Sequence, residues 1–244
     1  MINSIKTDWQ ILLKMLRGRS RRGSHQQQLE DFYAAQADHY DAFRERLLHG
    51  RRELIAHMEI APGHSVVELG GGTGQNLRYL EHPLQSYCSI DVVDLCPSLL
   101  TIARQRYLHM TNINIIEADA TSYCPENPVD RVYFSYALTM IPDWKQAINN
   151  AINMLKPGGL IGVVDFYIPC EKNDVARVNP GYLSRKFWQL WFAHDGVHLT
   201  PEHLQYLCSR TETISLEESQ GKVPYLPLLK APYYIYVGQK SWNP

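Results

Sequence analysis

The run Val66-Val-Glu-Leu-Gly-Gly-Gly-Thr-Gly74 decides how the rest of this chain is read. Ser65 to Leu69 is a short apolar run, as expected of a buried strand, and Gly70 to Gly74 is the turn that follows it. Glycines at a strand's carboxyl end remove the Cβ atoms that would keep a ligand from the backbone. A glycine-rich turn alone is weak evidence, because dinucleotide binders use G-x-G-x-x-G and seat a pyrophosphate on a helix N-terminus. Here the spacing is Glu-x-Gly-x-Gly-x-Gly, with Glu68 two residues before the first glycine. An acid there suits a cofactor that carries an ammonium group and no phosphate, and S-adenosylmethionine has both properties.

The pattern repeats downstream. Gln75 to Leu80 opens a helix; Ser89 to Leu95 predicts a second strand and Pro97 to His109 a helix with proline near its first position. Asn114 to Asp119 predicts a third strand and Arg131 to Ser135 a fourth. Asp143 to Leu155 predicts a helix, and Lys156-Pro-Gly-Gly159 a turn into a fifth strand, Leu160 to Phe166. Strands alternating with helices imply a parallel sheet covered on both faces. Thr213 to Glu217 and Tyr233 to Gly238 predict two closing strands, and Thr200-Pro-Glu the capped start of a helix before them. Asp94 follows the glycines by about twenty residues, where an acid accepts from ribose hydroxyls. Asp119, followed by Ala120, stands where a carboxylate and a backbone N–H meet an adenine edge. Any one of these acids alone reads as a solvated strand end. Three at successive strand ends read as a ligand site.

Net charge is -1, which does not point to nucleic acid. The five cysteines, Cys88, Cys96, Cys124, Cys170 and Cys208, contain no Cys-x-x-Cys pair, so neither a disulfide framework nor a zinc site is indicated. His194, His198 and His203 lack the helical His-Glu-x-x-His spacing of a zinc site. No apolar run reaches the roughly 20 residues of a spanning helix, and no signal-peptide pattern is present. Segment 1–24 stands apart: Ile2, Ile5, Trp9, Leu12, Leu13 and Leu16 recur at helical spacing, and Lys6, Lys14, Arg17, Arg19, Arg21 and Arg22 face the single acid Asp8. A basic amphipathic helix of this kind lies on anionic membrane or docks on its own domain.

The stretch from about Phe32 to the closing strands resembles the class I S-adenosylmethionine-dependent methyltransferases. That resemblance implies a Rossmann-like α/β domain over 25–244, with a seven-stranded, mostly parallel sheet and an antiparallel last strand. Its parts would be a helical lid (25–60), a cofactor-binding core (61–167), a substrate insertion (168–210) and closing strands (211–244). It places Glu68, Gly70, Gly72 and Gly74 around the methionine part of the cofactor, with Gly71, Thr73 and Asn76 in the same segment. Asp94 would hold ribose, Leu95 would pack on adenine, and Asp119 with Ala120 would frame its edge. Ser135 and Tyr136 would lie under the sulfonium, and Tyr33, Tyr40 and Arg44 would reach in from the lid. The product cofactor would be S-adenosyl-L-homocysteine.

Four runs carry a closer resemblance: Phe43 to Arg52, Ser135 to Trp144, His194 to Leu199 and Val223 to Pro227. They are similar to the diacylglyceryl-homoserine N-methyltransferases of betaine-lipid synthesis. The resemblance implies three methylations of one lipid amine by an enzyme at the cytoplasmic, inner face of a membrane. It also implies a partnership with the enzyme that attaches homoserine to diacylglycerol. The amine must lose a proton before attack, and Tyr136, His194, Asp195 and His198 are the candidates to take it. Tyr182, Phe187, Trp188, Trp191 and Phe192 are either an aromatic cage for the quaternary product or core and interface residues. Phosphatidylethanolamine N-methylation, quinol C-methylation and a catalytically silent cofactor-binding adaptor remain as alternatives.

Overall fold

The computed structural model describes residues 23–33, 45–167, 200–223 and 226–241. Segment 1–22, Tyr40, Arg44, the aromatic stretch Tyr182 to Phe192, and His194, Asp195 and His198 lie outside them. The strands are β1 (Ser65–Leu69), β2 (Ser89–Asp94), β3 (Ile113–Glu117), β4 (Val129–Ser135), β5 (Leu155–Phe166), β6 (Glu212–Val223) and β7 (Leu226–Gln239). They form one sheet in the order β3-β2-β1-β4-β5-β7-β6. The first five pair in parallel, and β7 runs antiparallel to both β5 and β6. This is the Rossmann-like class I methyltransferase arrangement, seven strands with one reversed.

The sheet is buried on both faces because its strands alternate apolar residues in both directions. Val66, Val92, Tyr133, Val164 and Ile235 face one cluster; Val67, Leu69, Val132, Phe134 and Tyr234 face the other. Full burial of each such side chain contributes about 1.5–3 kcal/mol. Helices in chain order are α1 (His25–Tyr33), α2 (Arg51–His57), α3 (Pro97–Arg106), α4 (Trp144–Met154) and α5 (Glu202–Arg210). α4 and α5 cover the second face through Ala147, Ile148, Ala151 and Leu207. The first face is covered by α2 and the residue that ends it: Leu54 and Met58 are fully buried over Gly162. A side chain at Gly162 would run into Met58, so the glycine lets helix and sheet approach closely. Within 25–60, therefore, α2 is part of the core, whereas a lid was expected throughout.

Several boundaries differ from the sequence reading. The helix expected at Gln75 to Leu80 is a 3₁₀ helix, Gln75–Tyr79, because Asn76 is drawn down to Glu68 and Arg51 and the chain turns extended at Leu80. The turn Lys156–Gly159 belongs to β5 as an irregularity: partners jump from Val129↔Leu155 to Arg131↔Leu160, with Gly158 at φ 76°. The closing strands are far longer than expected. β5 pairs with β7 only as far as Phe166↔Tyr233, yet β6 and β7 continue pairing to Lys222↔Lys230 and Val223↔Leu226. The hairpin thus projects beyond the carboxyl edge of the parallel strands. α5 starts one residue later than expected, with Pro201 at its N-cap, and the Thr200 hydroxyl oxygen accepts from the Glu202 N–H at 3.1 Å.

Candidate functional site

A cavity of about 250 Å³ lies at the carboxyl ends of β1, β2, β3 and β4. Open α/β sheets bind ligands at this edge, where strand order reverses between neighbours. Of the expected residues, Gly70, Gly72, Asp94, Leu95, Asp119, Ala120 and Tyr136 line it. Gly70, Gly72 and Gly74 all have positive φ, which a turn this tight demands. A Cβ on Gly70 would also collide with that of Ala137, so the turn and the β4 end are in direct contact there.

The acids divide by strand geometry. Asp94 Oδ2 accepts from the Gly72 N–H and its Oδ1 from the Cys96 N–H, both at 2.8 Å. It therefore holds the glycine turn in place while standing at the cavity wall. A carboxylate has about four acceptor sites, which leaves capacity for a ribose diol. Asp119 Oδ1 accepts from the N–H and the hydroxyl of Thr121, each at 2.8 Å, closing its own turn. Glu68 behaves differently. Strand side chains alternate, so the residue next to Leu69 faces the opposite cluster. Glu68 is completely buried and accepts from Asn76 Nδ2 at 2.6 Å. Asn76 Oδ1 in turn accepts from Arg51, which pairs with Glu45 at 2.8 Å.

Glu68, Gly71, Thr73, Gly74, Asn76 and Ser135 are not among the described residues lining the cavity. They form the layer beneath it. The carbonyl of Thr73 accepts from Arg106 and that of Gly74 from Tyr107, each at 2.8 Å, so α3 pins the far side of the turn. Glu68 supports the turn from below, with its carboxyl group under Gly71. Tyr33 is the last residue of α1.

The sequence reading missed His25 and Leu29 of α1, Leu99 of α3, and Met140 to Asp143. α1 lines the cavity through His25 and Leu29. Its Glu30 Oε2 accepts from the Ser98 N–H at 3.2 Å and the Cys96 thiol at 3.1 Å, capping α3 from outside. Gln26 donates to Glu117 at 2.7 Å. Burial first, with Glu30 alongside, pushes the Cys96 thiol up to about 12, so it stays a neutral donor. Only an acid at the second turn of a short helix signalled this, and nothing in sequence tied it to residue 98.

Tyr136 is the strained point. It follows β4 with φ 56°, a conformation rare for a non-glycine residue and frequent at functional sites. Its ring packs on Phe166 at 4.6 Å and its hydroxyl donates to the His49 carbonyl at 2.7 Å. Burial and the nearby Asp165 hold the phenol well above its ordinary pKa. A neutral phenol committed to a carbonyl is a poor proton acceptor, so the expectation of Tyr136 as a base is replaced by a positioning role. Beneath it, Asp165 is fully buried, accepts from the Thr139 N–H and hydroxyl at 3.1 and 2.9 Å, and is pushed by burial up to about 7. Among the described residues no group of His, Cys, Asp or Glu is arranged to hold a metal; His203 instead packs its ring 4.5 Å from Trp144.

Residues 66–159 match a family described as a methyltransferase domain. A ubiquinone/menaquinone biosynthesis C-methyltransferase, UbiE, of Shewanella woodyi is 29% identical over 131 residues, which are 52% of this chain and 51% of that protein. The chain spans about half the length of the curated relatives it matches. Among solved structures, the N-methyltransferase NodS of Bradyrhizobium japonicum in complex with S-adenosyl-L-homocysteine superposes with TM-score 0.64 at 15% identity, covering 89% of this chain and 99% of that one. The [4+2]-cyclase SpnF also superposes with TM-score 0.64, at 17% identity over 92% and 98% of the two chains. The fold is that of the class I methyltransferases. The matched segment 66–159 holds the glycine turn and the strand ends that line the cavity, and the cofactor they fit is S-adenosylmethionine. The cavity fits that cofactor: a glycine cradle with no phosphate-binding helix behind it, then two carboxylates at the next two strand ends.

Proposed function

We propose that this protein is an N-methyltransferase that methylates the amine of diacylglyceryl-homoserine three times, giving diacylglyceryl-N,N,N-trimethylhomoserine. The observation that carries this reading is a convergence at His49. Two of the runs similar to the betaine-lipid family meet there, and a third begins beside it. Tyr136, in the run Ser135 to Trp144, donates to the His49 carbonyl. His49, in the run Phe43 to Arg52, bonds through Nε2 to the Lys222 carbonyl at 3.0 Å, next to the run that begins at Val223. The run Ser135 to Trp144 also supplies one wall of the cavity, from Tyr136 to Asp143.

The bound cofactor supplies an electrophilic methyl group on a sulfonium. The chain's own part is to align and dry the acceptor. Ala137, Met140, Ile141 and Pro142 make that wall largely apolar. An amine in such surroundings, beside a cation, is driven to its neutral, nucleophilic form. His194, Asp195 and His198 are proposed to take the proton, and Asp94, Leu95, Asp119 and Ala120 to hold the nucleoside. The basic segment 1–22 is proposed to hold the enzyme at the inner face of the membrane, where the lipid and the enzyme that makes it reside. No helix among the described residues is long and apolar enough to cross a membrane.

A second reading is quinol C-methylation, favoured by the likeness to UbiE over the core. The test is methyl transfer from labelled S-adenosylmethionine into liposomes carrying diacylglyceryl-homoserine, phosphatidylethanolamine or a quinol, in separate tubes. Mono-, di- and trimethyl products of the homoserine lipid alone are expected. Label in the quinol, with none in the homoserine lipid, replaces the first reading by the second.

A further inference from the structure

The outer half of the β6–β7 hairpin extends past the sheet on the same edge as the cavity. It is anchored there by His49. The imidazole bonds to the Lys222 carbonyl, packs on Gly221 and stacks 6.2 Å from Tyr233. Gly50, at φ 79°, has Tyr233 Cε2 where a Cβ would stand, 2.7 Å away, so loop and hairpin are in van der Waals contact. α2 begins at the next residue. Its Arg51 and Arg52 guanidinium groups lie 5.5 and 5.4 Å from the Tyr79 ring, and Arg78 lies 5.6 Å from it. Hairpin, loop and α2 start therefore share one rim.

That rim is basic. Residues 45–53, 78–79, 219–223 and 226–233 hold Arg46, Arg51, Arg52, Arg78, Lys222 and Lys230 against Glu45 and Glu53. Glu45 is already engaged by Arg51, Arg78 and the Tyr79 hydroxyl. Arg46, Arg52, Arg78, Lys222 and Lys230 are exposed. Lys222 and Lys230 are direct register partners across the hairpin. Beyond this pair the first residues of β7 are Leu226, Pro227, Leu228 and Leu229, with no charge. A strand start with no charge in its sequence, beside exposed cations, matches an anionic bilayer, whose headgroup phosphates attract such cations.

We infer that this rim, the outer β6–β7 hairpin with the start of α2, is a surface that docks on an anionic lipid bilayer and brings the cavity's edge to the membrane. It is separate from the basic segment 1–22. It rests on the proposed function only in that the acceptor lies in a bilayer, so vesicles without any acceptor test it alone. Full-length protein is mixed with phosphatidylcholine vesicles containing or lacking phosphatidylglycerol. Amide exchange at 219–223 and 226–233 is expected to slow on the anionic vesicles only. The double variant Lys222→Glu, Lys230→Glu is expected to bind them at least tenfold more weakly, a difference of about 1.4 kcal/mol. It should keep wild-type affinity for S-adenosylmethionine. The variant Arg52→Gln, Arg78→Gln gives the same reading on the other side of the rim should the hairpin variant fail to fold. Anionic vesicles bound without slowed exchange in the hairpin would overturn the inference, as would equal binding to uncharged vesicles, no binding, or wild-type affinity in the variants.

Discussion

The hydroxyl of Tyr136 donates to the carbonyl oxygen of His49 across 2.7 Å, joining the strained residue at the cavity to the loop that grips the closing hairpin. Replacing Tyr136 by Phe keeps the ring on Phe166 and removes only this donor. Stability is expected to fall by about 1–2 kcal/mol, the cost of leaving a partly buried carbonyl unsatisfied. Turnover should drop with little change in cofactor affinity, because the cofactor side of the cavity is untouched. Urea unfolding and calorimetric titration with S-adenosylmethionine separate the two effects. A large loss of cofactor affinity would show that the phenol acts on the cofactor rather than on the loop.

Asp94 holds the N–H groups of Gly72 and Cys96 at once. Asp94→Ala frees both and removes the ribose acceptor, so cofactor binding should weaken more than tenfold, by at least about 1.4 kcal/mol. Asp94→Asn keeps one acceptor oxygen and should lose less. Calorimetric titration of both variants checks the order.

Gly70→Ala is expected to be worse than either. The residue sits at φ 73°, and the new methyl would meet that of Ala137. The left-handed backbone alone costs about 1–3 kcal/mol for a non-glycine residue. A lowered melting temperature and no measurable cofactor binding are expected; a wild-type melting curve would contradict the turn geometry.

Asp165 gives a pH signature. Its pKa rises from an ordinary 3.8 to about 7 on folding. Between those values the folded chain holds a proton that the unfolded chain has released, so stability falls as pH rises through the interval and levels off above it. The slope is at most about 1.4 kcal/mol per pH unit. Asp165→Asn should abolish this trend. Denaturant unfolding across the interval tests it, and a wild-type curve that rises with pH would have the sign wrong.

Local sequence carried the order of elements and the cofactor class. Successive short apolar runs that each end in glycine or an acid read as strand ends at one binding edge, and that rule found Gly70, Gly72, Asp94 and Asp119 without coordinates. It did not show that Glu68 lies beneath the turn, where the pleat, sending alternate residues to opposite faces, puts this acid. The length of the hairpin was equally hidden. Residues 219–223 and 226–232 gain strand structure by pairing with each other across the hairpin, beyond the point where β5 stops pairing with β7. The same holds for His49. In sequence it is one histidine before a glycine; in the fold Tyr136, Lys222 and Tyr233 all converge on it. What the chain does locally follows from side-chain size and spacing, whereas which distant residues share an edge is decided by the strand order, which only the folded sheet sets.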